Sequence, residues 1–90
     1  SSKTISLVTS YRYKFKPSYK IDNVLKDSPA FLAGLKVNDV LISINSKKAH
    51  RYRLEEIMGI FQSRDNRKIR IIIERAGEIM KFEFRLKKKI

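Results

Sequence analysis

The residues that could carry out chemistry in this chain are few and widely spaced. His50 is the only histidine among the 90 residues, and there is no cysteine. His50 lies in a polar, basic stretch with Lys47, Lys48 and Arg51, where a solvated side chain is expected. The nine acidic residues are scattered and lack the spacing of metal ligands or of a nucleophile with its base. The sequence therefore predicts no catalytic site, no metal site and no cofactor.

The second chemical feature is a strong positive charge. Lys and Arg number 21 and give a formal net charge of +12, which suits acidic peptides, nucleic-acid phosphates or anionic membrane surfaces. Residues 11–16 alternate aromatic and cationic side chains, as single-strand nucleic-acid binders do, but an ordinary strand with one buried face has the same pattern. We favour the strand and expect no nucleic-acid partner. The run Lys87 to Lys89 is expected to be a solvated tail, and no apolar run is long enough for membrane insertion.

The elements that would position a site can be predicted from hydrophobic periodicity. Met80, Phe82, Phe84 and Leu86 alternate with charged residues and predict a strand that pairs with residues 69–74 through a tight turn at Ala76-Gly77. Further strands are expected at residues 19–25, at residues 40–44 (buried on both faces), and as one or two strands within residues 5–8 and 11–15, with an interruption of the chain at Pro17.

One amphipathic helix is predicted from Leu54 to Ser63. Leu54, Ile57, Met58 and Phe61 recur at i, i+3, i+4 and i+7, and Glu55 and Glu56 complement the helix dipole in the first turn. A shorter helix is expected at residues 29–33. We expect one domain over residues 1–90, cut from a longer protein, because a chain of this length supports one core.

The most informative stretch runs from Asp27 to Asn45. Ser28 can cap the short helix, Pro29 suits its first position, and Gly34 can end it in the left-handed conformation. The order Ser-Pro-Ala, Ala-Gly-Leu, Asn-Asp and Ile-Asn-Ser resembles the sequence pattern of bacterial PDZ domains. This chain departs from the pattern at Asn38 and Ser46, where that family usually has glycine; Asn tolerates positive φ, whereas Ser46 requires Asn45 to take more of the turn.

The resemblance implies an α+β fold, a PDZ-like and partly open five- or six-stranded antiparallel barrel or sandwich capped by two helices. It also implies that an extended peptide binds by strand addition between an early strand and the Leu54 helix. We place that strand at Ile5, Ser6, Leu7 and Val8, and a carboxylate-holding turn at Lys3 and Thr4. The helix wall would comprise Leu54, Met58 and Phe61, with Ile57 turned further into the core. The glycine loop that usually presents the amides is not visible, so either a free C-terminus or an internal segment remains open as the ligand.

The Ser-Pro-Ala start and the run Phe84 to Lys88 are similar to the PDZ domain that follows a retropepsin-like aspartyl protease domain in Bacteroidetes. The chain itself lacks the Asp-Thr/Ser-Gly motif of that protease. By this resemblance it would hold or regulate substrate for a protease domain in the same polypeptide, in the periplasm, at the outer membrane or secreted. The positive charge predicts a preference for acidic peptides. The alternatives are a structural domain that packs on its parent and binds no peptide, and a basic single-strand nucleic-acid binder.

Overall fold

A computed structural model describes the backbone of residues 5–13 and 16–87, and the side chains of this part except residues 10–17. Its elements, in chain order, are strands β1 (Ile5–Tyr13) and β2 (Lys16–Val24), helix α1 (Pro29–Ala33), strands β3 (Val40–Ile44) and β4 (Lys47–Lys48), a 3-10 helix (Ala49–Arg51), helix α2 (Leu54–Phe61), and strands β5 (Lys68–Arg75) and β6 (Glu78–Arg85). Within these residues, the strands form one antiparallel sheet in the order β1-β2-β3-β5-β6, and β4 pairs with β3. The predicted α+β fold with two helices is confirmed.

Helix α1 forms as its capping residues predict. The Ser28 hydroxyl accepts a hydrogen bond from the Phe31 N–H at 3.2 Å, and Pro29 occupies the first helical position. Gly34 ends the helix at φ 112°, and its N–H donates to the Phe31 carbonyl. A Cβ at Gly34 would lie 3.1 Å from the Phe82 ring, so this glycine also permits close packing of α1 on β6.

The tight turns use residues with positive φ. Ala76 and Gly77, at φ 51° and 82°, join β5 to β6 as predicted. Asn45 and Ser46, at φ 49° and 72°, join β3 to β4. The expectation that Asn45 takes more of the turn than Ser46 is therefore wrong, because a two-residue hairpin turn of this kind needs positive φ at both central positions.

The core lies on one side of the sheet and beneath α2. Its buried residues come from both helices, the 3-10 helix, the loops and strands β1, β2, β3 and β5, and include Ile5, Ile21, Leu41, Ile44, Ile57, Phe61, Ile69, Ile71 and Ile73. Strand β3 is central in the sheet, but Leu41 and Ile44 are its only buried residues, so the prediction that it is buried on both faces is wrong. The two buried residues are three positions apart because a bulge at Ile42 breaks the alternation.

Several predicted boundaries differ from the structure. Of the one or two strands expected near the start of the chain, the described part has one, Ile5–Tyr13. Strand β2 begins at Lys16 instead of residue 19, and Pro17, which was expected to interrupt the chain, is its second residue, near a strand start where the missing N–H is tolerated. Helix α2 ends at Phe61 instead of Ser63, with Gln62 as its C-cap. The side chains of residues 10–17 lie outside the described part, so the alternation proposed for Tyr11, Tyr13 and Phe15 stays a prediction.

Candidate peptide-binding site

Strand β1 lies at one end of the sheet. It pairs along its length with β2, from Ile5 opposite Val24 to Tyr13 opposite Lys16. Within residues 5–13 and 16–87, no strand pairs with its other edge, and α2 contacts β1. An edge of this kind presents backbone N–H and C=O groups that an extended chain can satisfy.

The predicted residues of β1 differ in burial. Ile5 is 1% exposed and belongs to the core, and Leu7 is half-buried against the same core. Ser6 is also half-buried, whereas Val8 is 40% exposed. Leu7, paired with the buried Ile21, therefore faces the side of the sheet that α2 covers, as Ile5 does, whereas Val8, paired with the exposed Lys20, lies on the opposite side. Strand β1 continues past Val8 to Tyr13, so its outer edge is longer than the segment from Ile5 to Val8 that was predicted to bind.

Helix α2 is the element that the sequence predicted as the opposite wall, and it contacts β1. Leu54 and Met58 are half-buried, and Leu54 packs against the core from its edge. Ile57 is fully buried, as predicted. Phe61 is only 3% exposed and its ring stacks on Phe84 at a centroid distance of 6.4 Å. Phe61 therefore packs in the core, and its prediction as a wall residue is corrected. Seven positions, about two helical turns, separate it from the half-buried Leu54 at the start of α2.

The start of α2 is held by hydrogen bonds that the sequence did not reveal. The Glu56 carboxylate accepts from the Arg53 N–H at 2.7 Å. The Tyr19 hydroxyl donates to the Tyr52 carbonyl, and the Tyr52 hydroxyl donates to the Ile44 carbonyl at 3.1 Å. Burial raises the pKa of the Tyr52 phenol above its ordinary value. These bonds tie the segment before α2 to β2 and β3 and so fix the helix relative to the sheet.

A buried ion pair fixes the turn before β3. Asp39 is 1% exposed, and its two carboxylate oxygens each accept a 2.8 Å hydrogen bond from the Arg75 guanidinium. Asp39 also accepts from the Lys36 N–H, and Arg75 donates to the Gly34 carbonyl. The hydrogen bond to Asp39 raises the pKa of Arg75 above its ordinary value. The sequence had assigned Asp39 only to a turn, because its partner lies 36 residues away.

The remaining candidate residues from the sequence are Lys3, Thr4 and His50. Lys3 and Thr4, predicted to hold a terminal carboxylate, lie outside the described residues. His50 lies half-buried in the 3-10 helix. Among the described residues, no group of three acidic or histidine side chains could hold a metal ion, and no helix has the length and hydropathy of a membrane span.

Comparison with known proteins agrees with this geometry. The model of the PDZ domain family matches residues 20–75. A protein of Enterococcus faecalis described as the probable protease Eep is 36% identical over 59 residues, which are 66% of this chain and 14% of Eep.

Two solved structures share the fold. The HtrA-type protease AlgW with a decapeptide superposes with a TM-score of 0.77 at 18% identity, over 99% of this chain and 29% of that one. An aminopeptidase N family protein from Idiomarina loihiensis gives a TM-score of 0.74 at 20% identity, over 98% of this chain and 14% of that one. The chain thus spans less than a third of each of these relatives.

Proposed function

Since the chain belongs to the PDZ domain family, we propose that it binds an extended peptide as an added strand on the free edge of β1, in the groove between β1 and α2. PDZ domains are binding modules, and the chain itself is not an enzyme. The observation that carries the proposal is the position of β1 at the end of the sheet, beside α2. The decapeptide in the AlgW structure supports a peptide as the partner.

Affinity would come from main-chain pairing with β1, and selectivity from side chains along the groove. Leu7, paired with the buried Ile21, and Met58 are the half-buried apolar groups on the side of the sheet that α2 covers. Arg53, exposed at the start of α2, adds positive charge to that end, and together with the net charge of +12 it supports a preference for acidic peptides. We expect that preference to weaken as salt is added.

A pair of proline variants tests strand addition. Successive residues of a strand direct their N–H groups to opposite edges, so Val8→Pro and Thr9→Pro remove amides from different edges of β1. The variant that removes an edge amide should weaken peptide binding at least roughly fivefold, because one hydrogen bond contributes about 1 kcal/mol. The other should mainly lower stability. Peptides from an acidic decapeptide library, titrated while amide chemical shifts are recorded, provide the assay.

A second pair of variants, both in α2, tests the contribution of the helix to binding. Met58→Ala should weaken binding by about 5- to 30-fold if about 1–2 kcal/mol of apolar contact is lost, with little change in stability. Ile60→Ala removes an apolar side chain from the opposite side of α2, one that packs on the core, so it should lower stability and leave affinity unchanged. The proposal fails if no library peptide shifts resonances of β1 and α2, or if both variants affect binding equally.

The setting proposed for the domain is a protease. Eep and AlgW are proteases by description, which supports a substrate-holding or regulatory role beside a protease domain in the same polypeptide. The narrower assignment to an aspartyl protease of the bacterial envelope, in the periplasm, at the outer membrane or secreted, rests on the motifs at Ser28-Pro29-Ala30 and from Phe84 to Lys88. Sequencing the gene upstream tests it: an Asp-Thr/Ser-Gly motif supports it, and an unrelated neighbouring domain removes it.

A structural packing role is the second candidate. Phe31, Leu32 and Val37, in and just after α1, are 43%, 72% and 48% exposed. Apolar groups exposed in this way favour contact with another domain. If packing were the only role, peptide titration would leave the resonances of β1 and α2 unchanged, while substitution of Leu32 by Ser would weaken association with the parent protein.

A further inference from the structure

The sheet has a strongly basic outer face. Directly opposed residues of antiparallel strands share a face, so Lys68 lies beside Arg85, Arg70 beside Glu83, and Ile72 beside Lys81. Ser43 pairs with both Ile72 and Lys48, which adds Lys48 to the same face. We call this surface the basic face; its cations, all exposed, are Lys48, Lys68, Arg70, Lys81 and Arg85. Glu74 and Glu83 are the acidic residues placed there by the same pairing.

The carboxylate of Glu83 competes for two of these cations. It lies 3.2 Å from the Lys68 ammonium and 3.6 Å from the Arg70 guanidinium, and the bond from Lys68 lowers the pKa of Glu83 below its ordinary value. Beside it, Asn45, Ser46, Lys68 and Arg70 line a shallow hollow of about 220 Å³. The hollow thus has two cationic side chains and a hydroxyl at its rim, the groups that bind phosphate oxygens.

An exposed apolar side chain borders the same face. Ile79 is 60% exposed and lies opposite Glu74, next to the Ala76-Gly77 turn. The face turns away from the core, since Met80, Phe82 and Phe84 of β6 alternate with it and pack on the core side. It is therefore separate from the groove between β1 and α2, whose helix covers that core.

We propose that the basic face binds the surface of an anionic lipid bilayer, with a phosphate headgroup in the hollow and Ile79 in the interface. Four of the cations lie on the neighbouring strands β5 and β6 and the fifth, Lys48, on β4, so together they match a broad negative surface. The apolar group beside them is the second component that interfacial binding uses. The outward side chains of β5 and β6 are charged or aliphatic, with no aromatic to stack on a base, which disfavours single-stranded nucleic acid.

Vesicle flotation with the chain tests this proposal. Vesicles of phosphatidylcholine with about one third phosphatidylglycerol should bind it at low salt and less at physiological salt, and pure phosphatidylcholine should not bind it. The double variant Arg70→Glu with Lys81→Glu should lower the partition coefficient into these vesicles by roughly 25-fold or more, because each basic residue lost lowers it about fivefold. Lys26→Glu with Lys36→Glu makes the same charge change at exposed positions off the sheet and should have a small effect.

Two further variants separate the face from net charge. Glu83→Gln frees Lys68 and Arg70 and should raise binding several-fold, whereas Ile79→Ser should lower it at both salt concentrations. Circular dichroism verifies that each variant is folded. Equal losses in the two double variants, or no gain in Glu83→Gln, would overturn the proposal. If a short oligothymidylate binds more tightly than the vesicles do, and Arg70→Glu with Lys81→Glu abolishes that binding, the basic face is a nucleic-acid site and the bilayer proposal is wrong.

Discussion

The ion pair between Asp39 and Arg75 makes an asymmetric prediction about stability. Removing either partner breaks the same bonds, but the group left behind differs. Asp39 is 1% exposed, and of the donors named above its carboxylate keeps only the Lys36 N–H after Arg75→Met. After Asp39→Ala, the Arg75 side chain, 27% exposed, keeps its bond to the Gly34 carbonyl and can reach water. The arginine variant should therefore be the more costly.

The magnitudes can be worked out from these environments. An uncompensated buried charge costs about 3–5 kcal/mol, so Arg75→Met should lose that much. Asp39→Ala should lose about 1–3 kcal/mol, mainly because the Lys36 N–H is left without its acceptor. A domain of this size has about 5–13 kcal/mol of stability, so the arginine variant should lose a large part of it and unfold roughly 10–40 °C below the parent.

Urea unfolding followed by far-ultraviolet circular dichroism measures both losses. The matched control is Lys68→Met, which breaks an ion pair of similar length, 3.2 Å, between side chains 42% and 45% exposed. That change should leave the unfolding midpoint almost unaltered, because an exposed pair is screened by solvent. The double variant Asp39→Ala with Arg75→Met should lose less than the sum of the single losses. A loss in Asp39→Ala equal to or above that in Arg75→Met would refute the reasoning.

Two more predictions concern backbone conformation and alkaline pH. Gly59→Ala should stabilise the chain by about 1 kcal/mol, since an added Cβ meets nothing within 4 Å in α2. Gly77→Ala should destabilise the chain through its positive φ alone. Gly34→Ala should destabilise it more, because its new Cβ would also lie 3.1 Å from the Phe82 ring. Thermal unfolding that ranks the three glycine variants in another order would contradict this prediction. Burial raises the pKa of the Tyr52 phenol, so the folded state keeps the phenol proton to higher pH than the unfolded state does. The contribution of the protonated phenol to folding stability is therefore complete below about pH 10 and is lost as the pH rises through the pKa of Tyr52 in the folded state. The stability difference between the parent and Tyr52→Phe should shrink above that pH; a constant difference would count against the buried phenol.

The sequence by itself determined the local elements of this fold. The alternation from Met80 to Leu86, the Ala76-Gly77 turn and the Ser28, Pro29 and Gly34 caps act over a few residues, so their neighbours in the chain suffice to specify them. The ordered motifs around Gly34 were specific enough to indicate the family that residues 20–75 match. Helix α2 was also predictable, apart from its last turn.

The tertiary structure decided everything that depends on partners distant in the chain. Strands β3 and β5 pair with Val40 opposite Glu74, and this register places Asp39 beside Arg75. The register cannot be predicted from the residues near either position in the chain. The position of β1 at the end of the sheet, the burial of Phe61 against Phe84, and the gathering of Lys48 with Lys68 on one face are also consequences of strand order. Periodicity states which face of a strand is apolar, but only the assembled sheet determines which edge stays open and which charges meet.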